Sequence, residues 1–421
     1  MKLYQHQDAV LKATQGINHV AYYLDMGLGK TFVGAEKMKQ LSTDRNLLIC
    51  QKSKIEDWIE HFIFNYNDWQ IYDLTNKKSI DDFFKNDIFP EVGIINYELA
   101  WRRKELLDLK DFTLILDESS LIQNRKAKQT KFILNLQPSN VILLSGTPTA
   151  GKYENLWTQV HLLGWDISED LYNKQYVNWK LIDIGGFKHK VVDKDDPYKN
   201  IERLKSKMRE HGAVFMKTEE VLDLPEQTFI EMKVPVSKEY KKFMKTGIVE
   251  IDGEEVIGDT SLTKRLRARQ LCGQYSLNKL EALKDLLEST NDRLVIFYNF
   301  NEELLNIKQL CEELNRPVSE VNGSVKDLSA YNAESNSVTL CQYQAASMGL
   351  NLQKSSIMIF YTLPERSELF EQSKKRIHRI GQKDSCFYYV MMCRNSIEEQ
   401  IYEVLKQRKD YTDALFQERN R

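Results

Sequence analysis

The chain has 421 residues, of which 42% are hydrophobic and 29% are charged, and its formal net charge is -2. This length predicts two or three domains with large cores, and the composition is that of an ordinary soluble globular protein. The near-neutral charge excludes a chain that is basic throughout, so a nucleic-acid partner would have to bind local basic patches. Six cysteines form no C-x-x-C pair, which favours buried free thiols over disulfides or zinc ligands.

The sequence offers no sign of a membrane or secreted protein. No apolar stretch approaches the length of a membrane span, and the first residues contain no apolar signal core. We therefore expect a cytoplasmic protein, located in the host cytoplasm if the source is viral, with no membrane partner.

The first part of the chain alternates short apolar runs with amphipathic stretches. The runs have strand length and do not alternate, which is typical of strands buried on both faces of a parallel sheet. They are residues 19–24, 46–51, 92–96, 112–116 and 141–144. Helices are expected between them, for example over residues 55–64 and 126–136. This alternation predicts an α/β fold with a doubly wound parallel sheet.

Between about residues 151 and 290 the sequence becomes polar, charged and largely helical in its spacing. The turn pairs Gly185-Gly186 and Asp252-Gly253 predict two hairpins there, and residues 229–236 predict a crossing strand or linker. The α/β pattern then returns in apolar runs at residues 293–298, 338–342, 357–361 and 386–392. We therefore expect a first α/β domain of residues 1–165, a helical middle of residues 166–290 with a crossing segment near 213–236, and a second α/β domain of residues 291–421.

A glycine-rich turn joins the first apolar run to a stretch with helical spacing. Its residues are Leu24, Asp25, Met26, Gly27, Leu28, Gly29, Lys30 and Thr31. Such a turn directs backbone N–H groups to one point at the positive end of a helix dipole, where a phosphate can bind. Lys30 could then reach the outer phosphates, and the Thr31 hydroxyl could bind Mg²⁺. Leu24 stands where the strict phosphate-loop pattern has glycine, so this stretch alone fits a chance glycine turn equally well.

Two further polar motifs follow apolar runs. Asp117 and Glu118 end the run 112–116, which places both carboxylates at the carboxyl edge of the predicted sheet. Asp117 could hold Mg²⁺ there, while Glu118 could orient an attacking water as a general base; the alternative is a helix N-cap. The next run ends in Ser145-Gly146-Thr147-Pro148, which could relay contacts from a nucleotide site or form an ordinary turn.

A basic stretch near the end of the chain carries Arg376 and Arg379. These residues are three apart and therefore share one face if the segment is helical. Two guanidinium groups on one face suit the negative charge that spreads over a γ-phosphate during transfer. A solvated basic helix is the alternative, but the flanking Gln372 and the stop at Gly381 favour a site.

Taken in order, these motifs resemble those of the superfamily-two helicases, and more narrowly the Swi/Snf-type ATPases that translocate along DNA. The resemblance covers nearly the whole chain, and its last segment, His378-Arg379-Ile380-Gly381-Gln382, is highly specific for that family. The matching segments are residues 3–7, 25–31, 52–53 with Trp58, 96–99, 116–119, 145–148, 155–157, 217–225, 266–272, 348–352 and 378–382.

The resemblance implies two RecA-like doubly wound lobes that close over ATP and Mg²⁺, with helical protrusions between them. It implies catalytic roles for Lys30, Asp117 and Glu118 from the first lobe and for Arg376 and Arg379 from the second. Hydrolysis is then expected to depend on the two arginines. Further ATP-binding residues implied by the resemblance are Tyr4, Gln7, Met26, Gly27, Leu28, Gly29, Thr31, Gly349 and Gln372, and the implied Mg²⁺ ligands are Thr31 and Asp117.

The resemblance also implies a monomeric motor whose partner is DNA, with duplex DNA favoured, bound mainly through its phosphates across both lobes. Two segments depart from the family pattern. Ser119-Ser120 could weaken the coupling of hydrolysis to movement, and the stretch 344–347 puts the DNA contacts expected there in doubt. Candidate nucleic-acid contacts are Lys52, Ser53, Asn96, Tyr97, Arg125, Lys126, Tyr298, Asn299 and Gln344.

Three functions compete at this point. The leading one is a DNA-dependent ATPase that translocates along duplex DNA in replication, recombination, repair or protein displacement. The second is a strand-separating helicase; the sequence shows no obvious wedge, although either of the two predicted hairpins could serve as one. The third is a nucleotide-gated DNA-binding module with little hydrolysis. The presence of both acids, the loop lysine and both arginines favours the two hydrolytic functions.

Overall fold

The computed structural model describes residues 3–85, 89–149, 151–251, 253–344 and 350–416, with the backbone alone for residue 184 and residues 409–416. The chain divides into two compact units: residues 3–221 with the helical residues 410–416, and residues 222–409. Each unit contains one large sheet and its own apolar core. None of the described helices combines the length and apolar content that crossing a membrane requires.

The first unit is built around a parallel sheet. Among its described residues, the strands of that sheet are β1 (His19–Leu24), β2 (Arg45–Cys50), β3 (Gln70–Asp73), β4 (Glu91–Asn96), β5 (Phe112–Asp117), β6 (Asn140–Leu144) and β9 (Ala213–Met216), while β7 (Trp179–Ile184) and β8 (Phe187–Val192) form a separate antiparallel hairpin. The order in the sheet is β3-β4-β2-β5-β6-β1-β9, so β1 lies between β6 and β9. The helices are α1 (Gln5–Ala13), α2 (Lys30–Leu41), α3 (Ile55–Asn65), α4 (Lys77–Lys85), α5 (Tyr97–Ala100), α6 (Lys128–Asn135), α7 (Trp157–Leu162), α8 (Glu169–Tyr176) and α9 (Ile201–Glu210).

The second unit repeats this architecture. The strands of its described sheet are β10 (Gln227–Val234), β13 (Leu294–Tyr298), β14 (Val318–Val321), β15 (Lys326–Asp327), β16 (Val338–Gln342), β17 (Ile357–Phe360) and β18 (Cys386–Cys393), while β11 (Ile248–Ile251) pairs with β12 (Glu254–Ile257). The order is β10-β18-β17-β13-β16-β14-β15, with only the short β15 antiparallel to its described neighbour. The helices are α10 (Lys238–Thr246), α11 (Ser261–Cys272), α12 (Leu277–Glu288), α13 (Asn301–Glu313), α14 (Ser329–Ala333), α15 (Ser367–Lys374) and α16 (Ile397–Phe416).

The predicted α/β class is confirmed, and each predicted sheet strand matches an observed one to within one residue at either end. These strands are central and buried, so their apolar runs are easy to recognise. The sequence pattern missed β3, β9, β14 and β15, which lie at or near sheet edges. Such short strands keep part of their side chains in solvent and therefore lack a continuous apolar run.

The hairpin predicted at Gly185-Gly186 is confirmed by the pairing of β7 with β8. The second predicted hairpin is matched by the pairing of β11 with β12, although Asp252 lies outside the described residues. The division between the two units at residue 221 falls inside the predicted crossing segment 213–236, while the predicted boundaries at 165 and 290 stay predictions.

A buried ion pair and a buried carboxyl group lie in the core of the second unit. Lys279 on α12 donates to both carboxylate oxygens of Glu398 on α16, each at 2.6 Å, and the two side chains are only 0% and 3% exposed. Burial opposes the charge on Lys279, but the adjacent Glu398 carboxylate outweighs it and holds the pKa of Lys279 above its usual value. Glu398 also accepts the backbone N–H of Cys393 at 2.9 Å. The pair therefore fixes α12 and α16 to the end of β18.

Glu303 on α13 is the second buried group. Its Oε2 accepts the backbone N–H groups of Asn299 (2.9 Å) and Phe300 (3.1 Å) and the hydroxyl of Thr362 (2.9 Å). Its Oε1 lies beside Gly273, where an added Cβ would stand 1.9 Å away, and it has no hydrogen-bond partner among the described residues. Burial raises the pKa of Glu303 to about 7, and the three donors only partly oppose that rise.

Glu303 should therefore make the stability of the second unit depend on pH. The folded chain binds the proton more tightly than the unfolded chain, so the contribution to stability is complete below the usual pKa of 4.5 and is lost as the pH rises through about 7. We expect the wild type to lose about 3 kcal/mol of unfolding free energy relative to Glu303→Gln across this range.

The measurement is urea unfolding at pH 5 and pH 8, followed by circular dichroism. Tryptophan fluorescence would report the wrong unit, because all six tryptophans lie between residues 58 and 179. Glu302→Gln changes the exposed neighbour on the same helix and should keep the wild-type profile. Identical pH profiles for the wild type and Glu303→Gln would show that Glu303 is not a buried proton-binding group.

Candidate nucleotide site

The glycine-rich turn lies at the carboxyl edge of the first sheet, between β1 and α2. Gly27 and Gly29 have φ angles of 87° and 73°, in the left-handed region that glycine adopts without steric cost. The Lys30 ammonium donates to the backbone carbonyls of Leu24 (2.9 Å) and Asp25 (3.3 Å). An ammonium has three hydrogens, so these two hydrogen bonds leave one donor that a ligand in the loop could use.

The start of α1 supports this loop from one side. The side chains of His6 and Gln7 each place Nε2 3.1 Å from the carbonyl oxygen of Leu28. A Cβ at Gly29 would lie 2.2 Å from the Gln7 Nε2 atom, so this close approach needs glycine. The Tyr4 ring is 60% exposed and stacks on His6. The structure thus places Gln7 against the loop, and ATP binding by Gln7 and Tyr4 stays a prediction.

The acidic pair ends β5, two strands away from β1. Trp58 donates from Nε1 to Asp117 Oδ2 at 2.9 Å, and the Tyr97 hydroxyl donates to the Asp117 backbone carbonyl at 2.9 Å. Burial raises the pKa of the Asp117 carboxyl group, against the opposing effect of the Trp58 hydrogen bond. Glu118 has a φ angle of 55°, a left-handed conformation that is uncommon for residues other than glycine and is often found at functional sites.

The motif after β6 lies between the loop and the acids. A Cβ at Gly146 would stand 3.3 Å from Lys30 Nζ, and the Ser145 hydroxyl donates to Glu118 Oε2 at 3.5 Å. Gln159 on α7 accepts from the Ser119 hydroxyl (2.8 Å) and donates to the Pro148 carbonyl (2.7 Å). The structure therefore brings together three motifs that are spread over more than a hundred residues of the sequence.

Thr218 was not identified by the sequence analysis as a site residue, yet it contacts the phosphate loop. Its hydroxyl donates to Asp25 Oδ2 at 2.9 Å, while Asp25 Oδ1 accepts the Met26 N–H at 2.9 Å. The Asp25 N–H donates to the Met216 carbonyl at the end of β9 (2.9 Å). Thr218 and Asp25 are 193 residues apart, and neither residue type signals such a contact in sequence. Only the pairing of β1 with β9 makes them neighbours.

The second unit contains the predicted arginines, but their setting differs from the predicted one. Helix α15 ends at Lys374, so Arg376 and Arg379 lie in the turn that follows and do not share a helical face. Arg379 donates from Nη1 to the Leu350 carbonyl at 3.1 Å, and burial lowers its pKa. Gln372 is buried on α15, and Gly349 lies outside the described residues.

The turn that carries Arg379 is stabilised by side-chain hydrogen bonds of His378 and Gln382, which belong to the segment most specific for the family. His378 places Nε2 2.8 Å from the Pro225 carbonyl. Gln382 donates to the Ser355 carbonyl at 2.9 Å and accepts the N–H groups of Lys383 and Asp384. Gly381 has a φ angle of 95°. The segment is therefore fixed as a folded loop around its arginine.

The predicted nucleic-acid residues fall into two groups. The first group is exposed and consists of Lys52, Ser53, Arg125, Lys126 and Gln344; Arg125 also forms an ion pair with Glu169. The second group is buried or engaged in internal hydrogen bonds and consists of Asn96, Tyr97, Tyr298 and Asn299. These four residues support strand ends in this structure, and a nucleic-acid role for either group stays a prediction.

Two known protein-family models match this chain and show which family it belongs to. The sequence model of the SNF2-related domain matches residues 23–288, and that of the helicase conserved C-terminal domain matches residues 278–381. The chain belongs to the SNF2-related family. The matched residues of this SNF2-family chain include the phosphate loop, the acidic pair and both arginines, as the sequence resemblance predicted.

Curated relatives share low identity with this SNF2-family chain over most of its length. The ISWI chromatin-remodeling complex ATPase ISW1 of Saccharomyces cerevisiae is 23% identical over 94% of the chain and 38% of its own length. The SWI/SNF-related matrix-associated actin-dependent regulator of chromatin subfamily A member 1 of Mus musculus is 22% identical, over 90% and 40%. The chain thus spans about two fifths of the length of these relatives.

The chain is also similar to solved structures, one of which is described here by its identity and coverage. The Sulfolobus solfataricus SWI2/SNF2 ATPase core in complex with dsDNA is 18% identical, with a TM-score of 0.44 over 98% of this chain and 92% of that one.

The contact between Thr218 and Asp25 predicts a loss of nucleotide affinity when the hydroxyl is removed. We expect Thr218→Val to weaken ATP binding about tenfold, because a hydrogen bond to a carboxylate that is lost in a partly buried site costs about 1.5 kcal/mol. Titration with a fluorescent ATP analogue would measure this. Thr218→Ser restores the hydroxyl and should restore affinity, and Thr228→Val changes an exposed threonine as a control. Unchanged affinity in Thr218→Val would show that Asp25 holds the loop without Thr218.

Proposed function

We propose that this chain is an ATP-dependent DNA translocase, a motor that couples ATP hydrolysis to movement along double-stranded DNA. One observation carries the proposal: the lysine loop, the acidic pair and the Ser145 motif lie together at the carboxyl ends of β1, β5 and β6. These strands are neighbours in the order β5-β6-β1. Such edges of parallel sheets are where nucleotides bind, and a lysine loop beside a carboxylate pair is the arrangement that phosphoryl transfer requires.

The donor set of the first unit fits ATP and Mg²⁺. Lys30 would bind the outer phosphates, and Thr31 and Asp117 would hold Mg²⁺ through a hydroxyl and a carboxylate, which are ligands that this ion prefers. Asp117 has a pKa raised by burial, so its charged form would be stabilised by a nearby cation. Bound Mg²⁺ would neutralise the charge that develops on the phosphates. Glu118 would orient the attacking water as general base.

Arg376 and Arg379 would complete hydrolysis from the second unit. Their guanidinium groups would stabilise the charge on the transferring γ-phosphoryl group, which neither the lysine nor the carboxylates can do alone. Arg379 is held by the Leu350 carbonyl and by a loop with several internal hydrogen bonds. A guanidinium group that is already fixed loses less conformational entropy when the site assembles.

Double-stranded DNA is the partner that we propose, and the name of one relative, a chromatin-remodeling complex ATPase, is consistent with it. The exposed residues Lys52, Ser53, Arg125, Lys126 and Gln344 would contact its phosphates. Contacts of that kind position a protein without reading sequence. The proposed motor therefore needs no sequence preference to move along DNA.

The first test is ATP hydrolysis in the presence of duplex DNA, single-stranded DNA or RNA. We expect duplex DNA to stimulate hydrolysis most strongly and Lys30→Ala to abolish hydrolysis with every nucleic acid, which also controls for contaminating ATPases. Stimulation by RNA alone would contradict the proposal. Little hydrolysis under any condition, together with nucleotide-dependent DNA binding, would support a binding module instead.

The second test separates ATP binding from turnover. We expect Arg379→Ala to retain ATP affinity and to lower kcat by about 10³-fold, as removal of an arginine that contacts the transferred phosphoryl group does. Arg366→Ala removes an arginine of the same unit whose side chain is 60% exposed and should leave kcat unchanged. Normal turnover in Arg379→Ala would assign Arg379 to the structure of its loop alone.

A further inference from the structure

Gln159 lies on α7 and is completely buried within the first unit. A buried carboxamide needs hydrogen-bond partners, because an unpaired polar group away from water is costly. Its Oε1 atom accepts the hydroxyls of Ser119 (2.8 Å) and Tyr23 (3.1 Å). Its Nε2 atom donates to the Pro148 carbonyl at 2.7 Å. One side chain therefore contacts three segments that are distant in sequence.

The three partners of Gln159 belong to the strands that carry the candidate nucleotide site. Tyr23 lies in β1, Ser119 comes two residues after the end of β5, and Pro148 lies in the segment that follows β6. These strands are neighbours in the order β5-β6-β1. Gln159 contacts all three from a helix that contributes no residue to the predicted ATP site. It therefore connects the motifs of that site from outside it.

The contact with Ser119 bears on the conformation of Glu118. Glu118 has a φ angle of 55°, and a residue with a Cβ keeps such a conformation only when its surroundings hold it. Ser119 is the next residue along the chain, and it is completely buried with its hydroxyl donated to Gln159. This hydrogen bond fixes the backbone that follows Glu118. It thereby fixes the direction in which the Glu118 side chain leaves the backbone.

The other end of the Gln159 amide holds the segment of residues 145–148. The Ser145 hydroxyl donates to Glu118 Oε2 at 3.5 Å, so this segment also contacts the acidic pair directly. The two connections close a ring whose members are Glu118, Ser119, Gln159, Pro148 and Ser145. A displacement at the acidic pair is therefore passed to the segment 145–148, and the reverse.

This ring borders the lysine of the phosphate loop. A Cβ at Gly146, inside the segment 145–148, would stand 3.3 Å from Lys30 Nζ. The segment therefore contacts both groups that the proposed hydrolysis requires in the first unit, the cation for the outer phosphates and the general base.

Attachment of α7 to the core does not by itself require Gln159. The neighbouring Thr158 donates from its hydroxyl to the Ile122 carbonyl at 2.8 Å and so ties α7 to the turn after β5. Val160 and Leu162 pack in the apolar core. The hydrogen bond of Thr158 reaches the turn after β5 but not the segment after β6. Thr158 therefore offers a matched comparison for Gln159 on the same helix.

We propose that Gln159 is a positioning residue that couples the acidic pair to the segment 145–148 during ATP turnover. Through Ser119 it holds Glu118 in the orientation that directs the attacking water, and through Pro148 it holds the segment beside Lys30. Ser119 departs from the family pattern, but its hydrogen bond to Gln159 supplies a connection between the acidic pair and the next motif. This proposal rests on the proposed ATP hydrolysis and adds a residue that acts on it from a distance.

The test measures kcat and ATP affinity for Gln159→Met, which keeps an unbranched side chain of similar length and removes both polar atoms. We expect kcat to fall about tenfold, because the general base loses its fixed orientation. ATP affinity should stay within about twofold, because the lysine loop keeps its own hydrogen bonds. Steady-state hydrolysis with and without duplex DNA measures kcat, and titration with a fluorescent ATP analogue measures affinity.

Ser119→Ala tests the same connection from its other end and removes a single hydroxyl, which the fold should tolerate. We expect kcat to fall about threefold to tenfold. Ser119→Ala combined with Gln159→Met should have the kcat of Gln159→Met within about twofold, because the connection is broken only once. Losses that multiply in the double variant would show that the two residues act independently and would overturn the coupling.

Thr158→Val is the control for a general loosening of α7. It removes a buried hydrogen bond from the adjacent residue and keeps the shape of the side chain. Its kcat should stay within about twofold of the wild type, because the ring is intact. Tryptophan fluorescence during urea unfolding compares the stability of the variants, since all six tryptophans lie in the first unit. A loss of turnover as large as that of Gln159→Met would assign both effects to the packing of α7 and overturn the proposal.

The remaining outcomes separate the positioning role from the motor. Normal kcat in Gln159→Met, with wild-type hydrolysis stimulated by duplex DNA, would overturn the coupling and leave the proposed motor intact. Wild-type hydrolysis that no nucleic acid stimulates would refute the DNA motor, while a selective loss of kcat in Gln159→Met would still support the coupling. Equal losses of ATP affinity and kcat in Gln159→Met would make Gln159 a support of the whole site, which also overturns the positioning role.

Discussion

The Lys30 ammonium group must be held at the carboxyl end of β1 by backbone oxygens, and the rest of the first unit is arranged around that requirement. The carbonyls of Leu24 and Asp25 accept its hydrogen bonds. Gly29 and Gly146 leave space for this arrangement, since an added Cβ would lie 2.2 Å from the Gln7 Nε2 atom or 3.3 Å from Lys30 Nζ, respectively. Asp25 then needs a donor, which Thr218 supplies from beyond β9. A small set of close contacts therefore connects α1, β1, β6 and β9.

The second unit is organised by carboxylates that are removed from water. Glu398 is stabilised by Lys279, because a buried charge is tolerated only when it is paired. Glu303 accepts three hydrogen bonds on one oxygen and, among the described residues, none on the other, and burial raises its pKa to about 7. Both groups anchor the carboxyl ends of strands. They keep the loops that follow β13, β17 and β18 in place.

Exposure distinguishes the two hairpins more than their sequences do. Both were predicted from glycine turn pairs, and both form. One packs its valines against Phe243 and is therefore part of a core, while the other keeps Phe187 and Leu181 in solvent. The difference lies in what each hairpin packs against, which a glycine turn pair alone does not specify.

The sequence by itself determined the α/β class, the central strands and the order of the motifs, because buried parallel strands and glycine-rich turns leave periodic and compositional signals. It identified Lys30, Asp117 and Glu118, which the structure brings to the carboxyl ends of β1 and β5, on either side of β6. It did not identify the edge strands, whose partial exposure weakens the apolar pattern, or the end of α15 before Arg376. The contact between Thr218 and Asp25 and the exposure of Phe187 were decided only by the tertiary structure. Both depend on which distant segments pack together, and local sequence holds no record of that.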